Sequence, residues 1–507
     1  MELSTLLALI LGGFIAAPQM VIALGQGDAE AMYNAYNSAF LTTSGSDVFY
    51  KAALNNGNPD GTWSASLDIL GAEDAYERTG EPEKKSLVND LLTTWLKNTP
   101  PPWSWDGWND DIGWFTLALI RGYQITGNTN FLDQAQYGFD YAFNRGWDTQ
   151  YNGGGIWEEQ PENAATENPP RKPTKEALAN DSLGKVACMI YQSTHDGSYL
   201  TKCRQIYDWV QKNLYNSGTG QINTGIDESG NVDTSSAAYN QGTFVDFANL
   251  VYKITGDGHI YNDAQRALDY GRDNLTVNGV FSNSANYLNT WADEMARGAG
   301  HFVRDNRLWS TYYSWMVQNA DAILANQRTD LHITWNAWDQ PTPTDNTLTT
   351  SKFVSAMAWL QFTPATQPDE IGGIHVITNN ETRMAVDSAG TYGNGNKVIQ
   401  WGLNGGQNQR WLLTQNSDTS WNIINLSTWE SLDCPGGSNE DNLPMIQWQP
   451  SRDSNQRWWV DQQSDGTYKI WNQASGKVLD GNSSTNNGAA LIQVGWNGKP
   501  QQRWILQ

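Results

Sequence analysis

The stretch Tyr123-Gln124-Ile125-Thr126-Gly127-Asn128 decides the reading of the first 364 residues, because it closes one helical pattern and opens another. Upstream, Ile112, Phe115, Leu119 and Gly122 keep an i, i+3, i+4 rhythm that predicts a helix running into this turn. The same punctuation returns as Tyr76-Glu77-Arg78-Thr79-Gly80, Tyr191-Gln192-Ser193-Thr194-His195-Asp196 and Tyr252-Lys253-Ile254-Thr255-Gly256-Asp257. Helix, Thr-Gly-Asn/Asp turn, helix, then a long Gly- and Trp-rich loop is a repeating hairpin of helices. Hairpins that bury apolar faces on their neighbours, with the long loops gathered at one end, predict an all-α (α/α)6 toroid with a cleft at its mouth.

The helix before the turn begins in Trp103-Ser104-Trp105-Asp106-Gly107-Trp108-Asn109-Asp110-Asp111-Ile112-Gly113-Trp114, where Asp110 and Asp111 stand side by side among four tryptophans. Cleaving a glycosidic bond takes one carboxylic acid to protonate the leaving oxygen and an ionised carboxylate to meet the developing cation, and indole faces suit sugar rings. Consecutive residues diverge by about 100° in mid-helix, but a helix start relaxes that limit. The positive helix end is expected to keep one Asp ionised as nucleophile, while a like charge and aromatic desolvation raise its neighbour toward an acid's pKa. The competing reading is a helix cap, a position Asp favours strongly.

Composition narrows the partners. Asp and Glu outnumber Lys and Arg by 54 to 31, a formal charge of −23 that repels nucleic acid and anionic lipid and is indifferent to a neutral polysaccharide. The 25 Trp and 21 Tyr lean the same way, toward rings stacking on sugars. Residues 1–23 read as a signal peptide, an apolar run with a small-x-small site ending at Ala23, so the protein is expected to be secreted and extracellular, with cell-wall association as a candidate final location. The rival reading is an uncleaved anchor, for which the run is short. Cys188 and Cys203, on successive helices flanking a turn, are candidates for a disulfide, which leaves Cys434 over. Sequons begin at Asn180, Asn274, Asn380, Asn425 and Asn482. The five His have no ligand spacing, so neither a metal nor another cofactor is expected. A monomer is expected, with no stable membrane insertion once the signal is removed.

Beyond a short linker at 363–370, the chain changes period. Gln409-Arg410-Trp411, Gln456-Arg457-Trp458 and Gln502-Arg503-Trp504 recur at spacings of 47 and 46 residues, and Gln400, Gln447 and Gln493 keep step with them. Three copies of a short-stranded unit mean pseudo-threefold symmetry, and residues 371–507 resemble the ricin-type lectin β-trefoil. The resemblance implies one sugar site per repeat: Asp387, Trp401, Asn408 and Gln409; Asp433, Trp448, Asn455 and Gln456; and Asp480, Trp496, Gln501 and Gln502. The third departs from the others, with Gln501 in place of Asn and Trp496 two positions late. Each motif can also serve only the trefoil core.

The helical part, residues 24–362, resembles glycoside hydrolase family 76, the endo-α-1,6-mannanases and their fungal wall relatives. The match rests on Asp110-Asp111 before its helix, Gly153-Gly154-Gly155-Ile156-Trp157, Lys175-Glu176-Ala177-Leu178-Ala179-Asn180 and Tyr239-Asn240-Gln241-Gly242. The resemblance implies a retaining mechanism with Asp110 as nucleophile and Asp111 as general acid/base. Trp63, Trp103, Trp108 and Trp157 are candidate stacking platforms, and Asn180, Tyr239, Asn240 and Gln241 candidate partners of sugar hydroxyls; the alternative for each is core packing, helix capping or interhelical bonding. Glu158 stands where the family commonly has a second Trp, and Glu176 where it commonly has Asn. The expectation is a secreted endo-α-1,6-mannosidase acting on yeast-type wall mannan, held on polysaccharide by an independently tethered lectin. The alternatives are a wall transglycosidase using the same mannosyl-enzyme intermediate, and a non-catalytic wall-binding lectin.

Overall fold

The structure is a computed structural model that describes residues 23–166, 171–281 and 292–507. Apart from Ala23, the segment read as a signal peptide lies outside the described residues. Among these residues the N-terminal part forms twelve helices of nine residues or more: α1 Asp28–Phe40, α2 Thr62–Thr79, α3 Pro82–Asn98, α4 Asn109–Thr126, α5 Thr129–Gly146, α6 Ala177–Thr194, α7 Gly197–Asn213, α8 Ala238–Thr255, α9 Gly258–Asn274, α10 Asp293–Asp305, α11 Trp309–Ala325 and α12 Val354–Phe362. The even-numbered helices touch in cyclic order, α12 returning to α2, and the odd-numbered helices pack against them. This is the (α/α)6 toroid. Its layering follows from composition: inner α8 buries nearly every residue from Ala238 to Val251, whereas outer α9 buries only the stripe Ala264, Ala267, Leu268 and Gly271.

The repeated turn has one mechanism. Gly80, Gly127, His195 and Gly256 each take a left-handed backbone at the end of an inner helix, with φ of 66°, 75°, 57° and 72°, and each donates its N–H to the carbonyl of the Tyr four residues earlier. Three of the next residues, Asn128, Asp196 and Asp257, then cap the following outer helix by accepting from Asn130, Ser198 and His259 N–H. One tetrapeptide thus stops an inner helix and starts an outer one. Cys188 on α6 and Cys203 on α7 form a disulfide across this hairpin, while Cys434 is buried and free.

Residues Gly373–Asn379, Arg410–Gln415, Trp421–Asn425, Trp458–Gln462, Tyr468–Asn472 and Trp504–Leu506 pair antiparallel in a closed ring, the last strand returning to the first. Trp411, Trp458 and Trp504 are fully buried, and their Nε1–H groups donate to Val386, Leu432 and Leu479 carbonyls in three equivalent bonds. The threefold motif is therefore the trefoil's core, as the spacing predicts. Gln400, Gln447 and Gln493 are buried too and donate to backbone carbonyls of other turns.

The picture of an independently tethered lectin is corrected by direct docking. Arg452 Nη1 donates to Glu77 O at 3.0 Å, Ser417 Oγ to Thr79 O at 3.0 Å and Tyr392 Oη to Ser193 O at 3.0 Å, and Tyr392 stacks on His195 at 3.9 Å between centroids. These barrel residues belong to the Thr-Gly turns, so the trefoil covers the end of the toroid where the inner helices finish. His195, which takes a left-handed position that glycine holds in the other three turns, is used for this contact. The catalytic candidates lie at the opposite end.

Candidate active site

Asp110 and Asp111 occupy the first turn of α4, behind an N-cap at Trp108 that makes no side-chain capping bond. Neither Asp is the cap residue. The approach to the helix is fixed by Arg145 of α5, which donates to Asn109 Oδ1 at 2.6 Å, Asp106 O at 2.7 Å and Trp108 O at 3.2 Å. Asn109 in turn donates to Trp157 O at 2.7 Å, and its N–H to Glu158 O at 2.7 Å. The loop 147–159 is thereby pinned beside the pair.

That loop needs its glycines. Gly154 and Gly155 have φ of 141° and 89°, and a Cβ on Gly155 would sit 2.4 Å from the Trp209 ring. Buried Lys175 gathers the turn by donating to the carbonyls of Asp148, Tyr151 and Gly154 at 2.6, 2.7 and 2.5 Å, and its burial lowers its pKa to about 8. Asn180 clamps Ile156 from both sides, accepting from its N–H at 2.8 Å and donating to its carbonyl at 3.0 Å. These contacts correct the expectation for Asn180: its amide is spent on the backbone of the Gly-rich loop, and the residue is fully buried.

Three other expectations are corrected on the same ground. Trp103 is fully buried between Trp95, Phe115 and Tyr137, its Nε1–H bonded to Thr99 O. Trp157 is buried beneath Lys175 and Tyr151. Gln241 holds the backbone of Gly220, Ile222 and Ala267. Each serves packing in a wall of inner helices and loops. Trp63 and Trp108 are half-buried at the starts of α2 and α4, with Arg171 lying 4.8 Å over the Trp108 ring. Tyr239 and Asn240 begin α8 at the same end of the ring, and both side-chain polar atoms of Asn240 are buried without a hydrogen-bond partner.

Two carboxyls join the pair. Glu158 follows the Gly-rich loop and Glu176 immediately precedes α6; both are half-buried, and Thr174 Oγ1 lies within reach of both. Burial, reinforced by the charges of Asp111, Glu158 and Glu176, holds Asp110 well above the usual carboxylate range. Burial, with Asp106 and Glu158, raises Asp111 to about 7; burial and Glu176 raise Glu158 to about 8; burial raises Glu176. The expectation that the helix end keeps one Asp of the pair ionised is thus overturned: desolvation outweighs the dipole, and both carboxyls are held above the usual carboxylate range. Glu158 and Glu176 had a positional signal, since each inner-helix start lies at the mouth and Glu176 stands where α6 begins. Adjacent carboxyls that burial keeps from ionising together can share one proton, the provision acid/base glycoside cleavage requires.

In the trefoil, Asp387 Oδ2 accepts from Asn408 Nδ2 at 2.7 Å and Gln409 Nε2 at 2.9 Å, and Asp433 Oδ2 accepts from Asn455 and Gln456, each at 2.9 Å. Trp401 and Trp448 stand beside them with open faces, 40% and 43% exposed. In the third repeat Asp480 accepts from the Asn482 N–H and bonds Gln502, while Gln501 contributes its backbone carbonyl, bonded by Gly481 N–H and Asn379 Nδ2. Trp496 is exposed there as well. The first two repeats therefore share one arrangement and the third has another.

The geometry agrees with comparisons to known proteins. A search of curated proteins finds no match. Among solved structures the chain is similar to an inactive variant of an α-1,6-mannanase from Salegentibacter sp. in complex with α-1,6-mannotriose, with 20% identity and TM-score 0.58 over 67% of this chain and 98% of that one. It is similar to a Listeria innocua protein, with 19% identity and TM-score 0.58 over 66% of this chain and 96% of that one. A family 76 mannosidase from Bacteroides thetaiotaomicron shows 16% identity and TM-score 0.55 over 66% of this chain and 98% of that one. The ricin-type beta-trefoil lectin domain-like model matches residues 358–448, 407–494 and 454–507. The model of glycosyl hydrolase family 76 matches residues 29–338, and the chain belongs to that family.

Proposed function

We propose that this protein is a retaining endo-α-1,6-mannanase that acts on yeast-type cell-wall mannan and is secreted to reach it. The observation that carries the reading is the adjacent pair Asp110–Asp111 at the first turn of α4, with pKa values raised by burial in a family 76 toroid. The α-1,6-mannanase of Salegentibacter sp. was made inactive by replacing two consecutive aspartates, which supports placing the chemistry on this pair. In the forward step, Asp110 as carboxylate attacks the anomeric carbon while Asp111 as acid protonates the departing oxygen; water, deprotonated by Asp111, then releases the sugar. The pair must enter this step holding one proton. Burial raises both carboxyls and so favours retention of that proton by the pair. The disulfide Cys188–Cys203 supports an oxidising compartment.

The trefoil's two matched sites, each with an acceptor carboxylate and an open indole, support binding to polysaccharide alongside catalysis. Release of reducing ends from linear α-1,6-mannan, with a mixture of short oligomers early in the reaction, tests the endo-acting reading. Loss of signal on β-glucan and persistence on debranched mannan is the expected pattern. Release of single mannose units only would oppose it.

A further inference from the structure

A cavity of about 380 Å³ lies between the trefoil and the end of the toroid that it covers. Tyr76, Tyr123 and Trp429 line it with aromatic rings, and Arg121, Gln192 and Glu430 with polar groups. It is separate from the catalytic pair: Asp111 and Tyr123 are twelve residues apart on one helix, about 18 Å along its axis. None of the Asp, Trp, Asn or Gln residues assigned to the three trefoil sites lines it.

Two observations mark it as built for a ligand. Arg121, Gln192 and Glu430 are 8%, 7% and 3% exposed, yet Arg121 Nη1, Gln192 Nε2 and Glu430 Oε2 have no hydrogen-bond partner in the protein. Buried polar atoms of this kind are uncommon and costly unless something else satisfies them. The second observation is the backbone of Trp429. Asn379, Asn425 and Asn472 cap equivalent turns in the three repeats, and the residue four positions on accepts a left-handed conformation: Arg383 at φ 61°, Trp429 at 57°, Gly476 at 67°. The third repeat uses glycine, which takes that conformation freely; the second places the bulkiest side chain there and directs it to the cavity wall.

We propose that this interdomain cavity is a binding site for a small uncharged carbohydrate of one or two hexose units. The volume lies at the lower end of ligand pockets, roughly 300–1,000 Å³. Ring faces next to a guanidinium, an amide and a carboxyl match the alternating C–H faces and hydroxyls of a sugar. Arg121 is already neutralised by Asp74 at 2.9 Å and Glu77 at 3.1 Å, so a full anion gains little over a neutral polyol.

The test uses the full chain with Asp110→Asn, Asp387→Ala, Asp433→Ala and Asp480→Ala, so that hydrolysis and the trefoil surface sites contribute nothing. Calorimetric titration with mannose, galactose, glucose and α-1,6-mannobiose should show, besides any binding in the catalytic cleft, one further site for at least one of them. Adding Trp429→Gly, which installs the third repeat's residue, or Glu430→Gln, which keeps an acceptor for the Gly393 N–H, should each weaken that further site about tenfold or more and leave cleft binding as it was, as for a lost ligand hydrogen bond or stacking face, with an unchanged melting temperature. Binding in the catalytic cleft alone, no binding of any of the four sugars, or a second site that both variants leave intact overturns the proposal. Because no step depends on turnover, failure of the mannanase reading leaves this test informative.

Discussion

Glu158 and Glu176 are joined through one hydroxyl: Thr174 Oγ1 lies 3.5 Å from Glu158 Oε2 and 3.2 Å from Glu176 Oε1. With Asp110 and Asp111 they make a four-carboxyl cluster whose protons are held by burial, and its pH behaviour follows from that. Glu158 titrates at about 8 when folded and near an ordinary glutamate, about 4.3, when unfolded. Between those values the folded state binds the extra proton, so the stability tied to Glu158 is complete at low pH and is lost as pH rises through about 8. Glu158→Gln should therefore melt close to wild type at pH 4.5 and above it at pH 8, by about 2 °C or more. Thermal scans across that window check the sign; a gap that closes with rising pH would refute it.

Activity should show the same cluster. The productive pair holds one proton, so kcat/KM rises as the pair loses its first proton and falls when it loses its second. An ionised Glu158 holds that second proton in place by like-charge repulsion. Glu158→Gln should move both limbs to lower pH, because the Glu158 charge raises both Asp110 and Asp111. A pH–rate profile on soluble substrate measures both limbs.

Asp111→Asn should lower turnover by roughly 10²–10⁴-fold, the usual contribution of a general acid/base, with partial rescue by a leaving group that needs no proton. Asp110→Asn should cost at least as much and resist that rescue, because attack itself is lost. Neither Asp caps α4, so neither variant should melt below wild type. Modest equal losses of activity with a lower melting temperature would instead assign both residues to the helix end.

Much of this was legible in the sequence for a physical reason: repeats expose themselves. The Tyr-x-x-Thr-Gly-Asn/Asp turn and the Gln-Arg-Trp spacing each fix a backbone state or a core position several times over, so toroid, trefoil and the place of Asp110–Asp111 could be read directly. Trp103, Trp157, Asn180 and Gln241 were misread because composition does not tell which face of a loop or helix a side chain takes. Glu158 and Glu176 were noticed only as departures, since their meeting depends on how loop 147–159 folds back on α6. The docking of the two domains was hidden for the same reason: His195 and Tyr392 are far apart in sequence, and neither has a pattern that announces the other.

The trefoil prediction follows from its unequal repeats. Asp387→Ala and Asp433→Ala should each weaken retention on wall polysaccharide, and together abolish it, because each carboxylate holds its Asn–Gln pair beside an open Trp. Asp480→Ala should matter least. Single shallow sites bind weakly, and two on one rigid body gain about 10²-fold or more in avidity on a polymer. Sedimentation with insoluble mannan reads the series; full retention by the double variant would make these carboxylates supports of their turns.

The central claim, a retaining cleavage by the Asp110–Asp111 pair, is tested most directly by proton NMR of linear α-1,6-mannan in the first minutes of reaction, before mutarotation. The account predicts that the new reducing ends appear as the α-anomer, and that Asp110→Asn abolishes their appearance. First appearance of the β-anomer, or undiminished release by Asp110→Asn, would contradict it.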